Sequence, residues 1–148
     1  MSYQFRYESV LSIKEKEKDQ VRQEYIHSVD HFEQAATQLY ELLRKKEQLE
    51  QEHEQALSKG LTVLHIKQIQ HYRKNLEKSI DQSQNKVSTA RQAMQIKEFE
   101  LHKSDVEVKK YSKLKERDRT HYQFLIKQEE AKVMDEAALR QFTNQKFR

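Results

Sequence analysis

The stretch SKGLT, residues 58–62, holds the only glycine of a 148-residue chain that contains no proline. Gly60 reads as a helix stop. A residue without a Cβ takes the left-handed conformation that ends a helix at little cost, and Leu61 can then pack back on the last turn near Ala56 or Leu57. Thr62 reads as the N-cap of a following helix, with Leu61 and Ile66 at the two positions of a hydrophobic staple. A stop followed at once by a start leaves a very short loop, which joins antiparallel neighbours. The alternative, one continuous helix through Gly60, would lose only about 1 kcal/mol relative to alanine. Caps of both kinds coincide here, and that favours the turn: Gly60, Leu61 and Thr62 form the tip of a hairpin.

Periodicity on either side supports this reading. In the first half, positions at 3-4 spacing read Leu11, Lys14, Lys18, Val21, Tyr25, Ser28, Phe32, Ala35, Leu39, Leu42, Lys46, Leu49, His53 and Ala56. Most are apolar, as the seam of a coiled coil requires. In the second half Ile66, Ile69, Leu76, Ile80, Val87, Ala90, Met94, Leu101, Val108 and Tyr111 follow the same spacing. Pairing about a tip near residue 60 sets residue 11 opposite residue 110, so the second seam ends where the first helix runs out of partner. Beyond it, residues 112–148 keep a helical composition but scatter their apolar residues, among them Val133, Met134, Leu139, Phe142 and Phe147. The expected fold is all-α: two long helices in an antiparallel coiled-coil hairpin with a C-terminal helical overhang. It forms one unit over 1–148, with a helix over about 4–59, the tip at 58–62 and a helix over about 63–142.

Composition agrees and excludes several functions. Apolar residues make up 35% of the chain and charged residues another 35%, against about 45–50% and about 25% in a globular domain. That is too little apolar surface for a compact core. Lys, Glu, Gln, Arg and Leu dominate, side chains that lose little rotamer freedom in a helix. There is no cysteine, so no disulfide framework or thiolate chemistry is expected. No apolar stretch is long enough to span a bilayer, and MSYQFRYESV lacks the apolar segment of a signal peptide, so the expected location is the cytoplasm.

Candidate chemistry is sparse. No glycine-rich phosphate loop is present. His27 and His31, in HSVDH, share a helix face in the manner of a zinc-protease helix, but Asp30 stands where that motif needs Glu and no third ligand is evident. A solvated helix face is the reading preferred, and His53 is read as a polar residue tolerated in the seam. Lys103, Lys109, Lys110, Lys113, Lys115, Arg117 and Arg119 form a basic stretch, yet Asp105, Glu107, Glu116 and Asp118 are interleaved with it, whereas nucleic acid prefers a cleaner patch. No enzyme activity, cofactor, metal, nucleic acid or small-molecule substrate is expected.

Four short motifs stand in order along the chain: Phe5-Arg6-x-Glu8-x-Val10-Leu11, the tip Gly60-Leu61-Thr62, Tyr72 with Leu76-Glu77-Lys78-x-Ile80, and Lys132-x-Met134-Asp135-Glu136-Ala137. In content and spacing the chain resembles the FliJ family of the flagellar type III export apparatus over nearly its whole length. The resemblance implies an antiparallel coiled coil like the central stalk of rotary ATPases. It also implies a place in the pore of the hexameric export ATPase, promotion of that enzyme's assembly and activity, contact with the membrane-embedded export gate, and cycling of export chaperones. Gln38, Leu42, Tyr72 and Leu76 match gate-contacting positions, although for Leu42 and Leu76 plain seam packing is an equal reading. Met134, Asp135 and Glu136, with Leu139 and Phe142, would form the ATPase end. The implied location is cytoplasmic and peripheral to the inner membrane at the flagellar base. The rival readings are a generic coiled-coil tether or secretion chaperone that binds no ATPase, and a nucleic-acid-binding helical arm.

Overall fold

In the computed structural model residues 2–146 are described; Phe147 and Arg148, placed on the C-terminal segment by the sequence pattern, lie outside them. Two helices account for nearly all of the described chain: α1, Glu8–Lys59, and α2, Val63–Lys146. They pack against each other as an antiparallel hairpin.

The turn is built by local hydrogen bonds. Gly60 has a φ of 84°, the left-handed region, and its N–H donates to the carbonyl of Leu57 at 3.3 Å, closing the end of α1. Two residues later the Thr62 carbonyl accepts from the N–H of Ile66 at 3.1 Å. Its hydroxyl oxygen accepts from the N–H of His65 at 3.3 Å. Thr62 is therefore the N-cap of α2, satisfying a donor that the helix itself leaves open. Leu61 and Ile66, on either side of that cap, are both half-buried.

The chain divides into two compact units. The first, Asp19–His102, holds the turn and the central seam. Ala35 on α1 and Leu76, Ile80, Ser83 and Ala90 on α2 are buried, and Ala90 is only 2% exposed. The remaining seam positions are half-buried, as expected when only one neighbouring helix covers each side chain. Register is visible in pairs that run in opposite order along the two helices. Lys97 Nζ lies 2.9 Å from Glu24 Oε2, and the Arg91 guanidinium sits 5.7 Å above the Phe32 ring.

The second unit joins Met1–Lys18 with Lys103–Arg148. Leu11 is buried here, and Lys18–Asp105 and Glu8–Lys115, at 2.7 and 2.8 Å, carry the antiparallel register. Two expectations need correction in this unit. The first helix starts at Glu8, not near residue 4. Ser2–Phe5 are not helical, and the Tyr7 carbonyl accepts the first helical bond, from Leu11 N–H at 2.9 Å. In an extended segment alternate side chains share a face, so Tyr3 and Phe5 turn inward while Ser2, Gln4 and Arg6 stay exposed. The consequence is the second correction: pairing does not stop at Tyr111. Tyr3 O–H donates to Asp118 Oδ2 at 2.9 Å, its ring centroid lies 5.3 Å from that of Tyr122, and Phe5 is buried. A short strap thus covers α2 past the point where α1 begins. The overhang starts beyond Ile126, and α2 runs on to Lys146 instead of ending near residue 142.

Gly60 has open space where a Cβ would point, so a substitution there is penalised by the backbone angle alone. Gly60→Ala should lower stability by about 1–2 kcal/mol, the cost of the left-handed conformation for a residue with a Cβ, and Gly60→Asn by less. Thermal unfolding followed by helical circular dichroism measures this; equal melting of wild type and Gly60→Ala would show that the turn does not need its glycine.

Candidate partner-binding surfaces

In the unit Asp19–His102, Gln38 and Leu42 lie on α1 along a shallow groove whose other side is α2. Ser79, Gln82, Ser83 and Lys86 form that opposite wall, with Glu41 and Lys45 beside Leu42. Gln38 is exposed and Leu42 half-buried. Tyr72 is 51% exposed and projects away from the seam. Leu76 is different: at 6% exposure its side chain is consumed by helix packing, so the surface available to a partner is Gln38, Tyr72 and the edge of Leu42. The groove brings in residues that sequence reasoning passed over. Ser83 holds a seam position, is buried, and leaves its hydroxyl oxygen without a hydrogen-bond partner. A serine at a coiled-coil seam position was the signal that could have drawn attention to it.

In the other unit, every side chain from Lys127 to Lys146 is exposed. Met134 reaches 74%, and Val133, Leu139 and Phe142 are similarly open, with Asp135 and Glu136 beside them. Phe124, Ala131 and Ala138 recur every seven residues on the side of α2 turned away from the seam, joined by Phe142, while Ile126, Val133 and Ala137 continue the seam side. With Met134 and Leu139 between these two sides, the segment carries apolar side chains around most of its circumference, not on one stripe.

Some charged residues of the basic stretch are paired. Asp105 pairs with Lys18 at 2.7 Å and Lys109 at 2.9 Å, and hydrogen bonds from these two ammonium groups hold its carboxyl at a pKa of about 2 against an ordinary 3.8. Lys115 pairs with Glu8. The basic stretch is thus partly neutralised by neighbours. Tyr3 titrates above the ordinary tyrosine range, through burial and then through its bond to Asp118. Near the turn, His53 and Arg73 occupy seam positions, and each has one buried ring or guanidinium nitrogen, Nδ1 and Nε, without a partner. His27 and His31 are both exposed, and among the described residues no group of three potential ligands is placed to hold a metal ion.

Comparison with known proteins places these surfaces in context. A profile of the family described as "Flagellar FliJ protein" matches residues 3–147. The chain is 39% identical over 142 residues to the flagellar FliJ protein of Bacillus subtilis (strain 168), covering 96% of this chain and 97% of that one. No solved structure matches.

Two measurements separate exposed from packed residues. Tyr72→Ala should change stability by less than about 0.5 kcal/mol, as exposed substitutions do, whereas Leu76→Ala should cost about 2–4 kcal/mol; denaturant unfolding of both variants tests the assignment, and a large loss for Tyr72→Ala would make it a packing residue. The Asp105 pairing predicts a pH signature. Its folded pKa is depressed, so its contribution is complete above the ordinary carboxylate range and is lost as pH falls from about 4 towards about 2. The difference in melting temperature between wild type and Asp105→Asn should shrink across that window; a constant difference would remove Asp105 as a titrating contributor.

Proposed function

Because the chain belongs to the flagellar FliJ family, we propose that it serves flagellar protein export as a helical hairpin that binds the hexameric export ATPase, promotes its assembly and activity, and links it to the cytoplasmic part of the export gate and to export chaperones. The supporting observation is the segment from Lys127 to Lys146. A helix apolar on one face is satisfied by one neighbour; one apolar around most of its circumference needs cover on more than one side. A ring closed around a central helix supplies that cover, and a second paired helix does not. Val133, Met134, Leu139 and Phe142 would be enclosed, Asp135 and Glu136 would meet basic groups of the ring, and Lys132, Arg140 and Lys146 acidic ones. Gln38 and Tyr72, exposed on the other unit, are the side chains offered to the gate. Among the described residues no helix is long and apolar enough to cross a membrane. The family match supports a proposed site of action at the cytoplasmic side of the flagellar base, peripheral to the membrane.

Purified protein should raise the ATPase's turnover, or its hexamer fraction, at about one chain per hexamer. Met134→Glu combined with Leu139→Glu should remove the effect without changing helicity, since both side chains are exposed. Deleting residues 127–148 should do the same, with the strap and seam intact. Electrostatic contacts should make the stimulation fall as salt rises, while the apolar contacts leave a salt-resistant remainder. Stimulation by the truncated chain equal to that of the full chain would overturn the assignment and favour a tether that binds no ATPase.

A further inference from the structure

The closed end of the hairpin carries a surface that the export reading does not use. Leu57, Val63 and Leu64 flank the turn, and Val63 and Leu64 are 71% and 67% exposed. Neither is needed to close the turn, because the hydrogen bonds of Gly60 and Thr62 do that. Charge is distributed unevenly around them. From Gln55 to Leu76 the chain has no Asp or Glu, in a protein with 24 acidic residues, whereas Lys59, Lys67, Arg73 and Lys74 are all present. The nearest carboxylates along the chain, Glu54 on α1 and Glu77 on α2, are set back from the ends of their helices at the turn by about 1.4 and about four helical turns.

We infer that this tip docks on an anionic lipid bilayer, with Val63 and Leu64 entering the interface and Lys59 and Lys67 lying on lipid phosphates. Two features select lipid over a protein surface. Protein hot spots are built from Trp, Tyr and Arg, with Leu and Val under-represented; here the outermost side chains are Leu and Val. Exposed aliphatic side chains beside a tight turn are accommodated by a soft surface that closes around them. Interfacial binding needs apolar side chains to enter only about 5–10 Å, with cations at headgroup level; Lys59 and Lys67 both lie within five residues of Val63 and Leu64 in the chain. Tyr72 stands two to three turns further along α2, so the export-gate contact proposed for it is compatible with a docked tip.

The chain contains no tryptophan, so Leu64→Trp introduces a single reporter at an exposed position of the full-length protein. Vesicles of phosphatidylglycerol and phosphatidylethanolamine should shift its emission to the blue, and vesicles of phosphatidylcholine should not. Replacing Lys59 and Lys67 together by Gln in the reporter protein should weaken binding about 25-fold, at about fivefold for each lysine near an anionic surface, and raised salt should weaken it as well. No shift on the anionic vesicles overturns the proposal, as does a shift that survives the double lysine substitution. A reporter at Phe142→Trp that shifts while Leu64→Trp does not would place lipid binding on the overhang and also overturn it. So would a Leu64→Trp signal that answers only to the cytoplasmic part of the gate protein, which would make the tip a protein contact. ATPase stimulation is measured without vesicles, so failure here is distinguishable from failure of the export reading.

Discussion

A protein of two helices has a single line of burial: the strip along which one helix faces the other. Among the described residues no third layer covers the backs of the helices, so outside the strap at the open end a side chain leaves solvent only by standing in that strip, and even there one neighbour covers it incompletely. This is why the central seam keeps its best-buried members small or compact, Ala35, Ile80, Ser83 and Ala90 among them, while Tyr25 and Phe32 remain half-buried. It also explains the polar residues that the seam tolerates. Lys18 and Lys97 lay their aliphatic stems along the strip and carry their ammonium groups to carboxylates on the facing helix. Such pairs are exposed enough that each contributes little energy; their stronger role is to mark register, because a shift of either helix would separate them.

The same constraint decides where binding surfaces can lie. Whatever stands off the strip is available. Large exposed apolar residues occur along both helices, Ile13, Tyr40, Ile96 and Phe99 among them, and two sets lie close together in sequence: around the turn, and along α2 after Ile126. Singly exposed hydrophobic residues need no explanation, but contiguous ones on a helix do. The C-terminal group carries apolar side chains around most of its helix, the group at the turn is aliphatic with Lys59 and Lys67 near it in the chain, and Tyr72 stands between His71 and Arg73. These are different chemistries, suited to different partners. The family match assigns the chain to flagellar FliJ proteins; which surface meets which partner is the content of the proposals made for each.

Much of this was legible in the residues themselves. The turn was, because capping is local: Gly60 needs only its own φ, and Thr62 reaches a donor three residues ahead, so no distant part of the chain intervenes. The seam was, because 3-4 spacing maintained over many heptads has one solution in helical geometry. Leu76 shows the limit of position-by-position reasoning. Its match to a gate-contacting position and its place in the seam were both visible, and burial resolves the choice in favour of packing.

Sequence alone therefore determined the all-α hairpin, its turn and its register, since each follows from short-range periodicity and caps. Only the tertiary structure decided the extent of pairing at the open end. Tyr3 and Phe5 make a period-2 pattern just two side chains long, too brief to read as an extended segment. What fixes it there is long-range: a carboxylate on Asp118 and the ring of Tyr122, more than a hundred residues away. The groove beside Gln38 was invisible for the same reason. Its two walls come from separate helices, and the unpartnered hydroxyl of Ser83 acquires meaning only when α1 is laid against it.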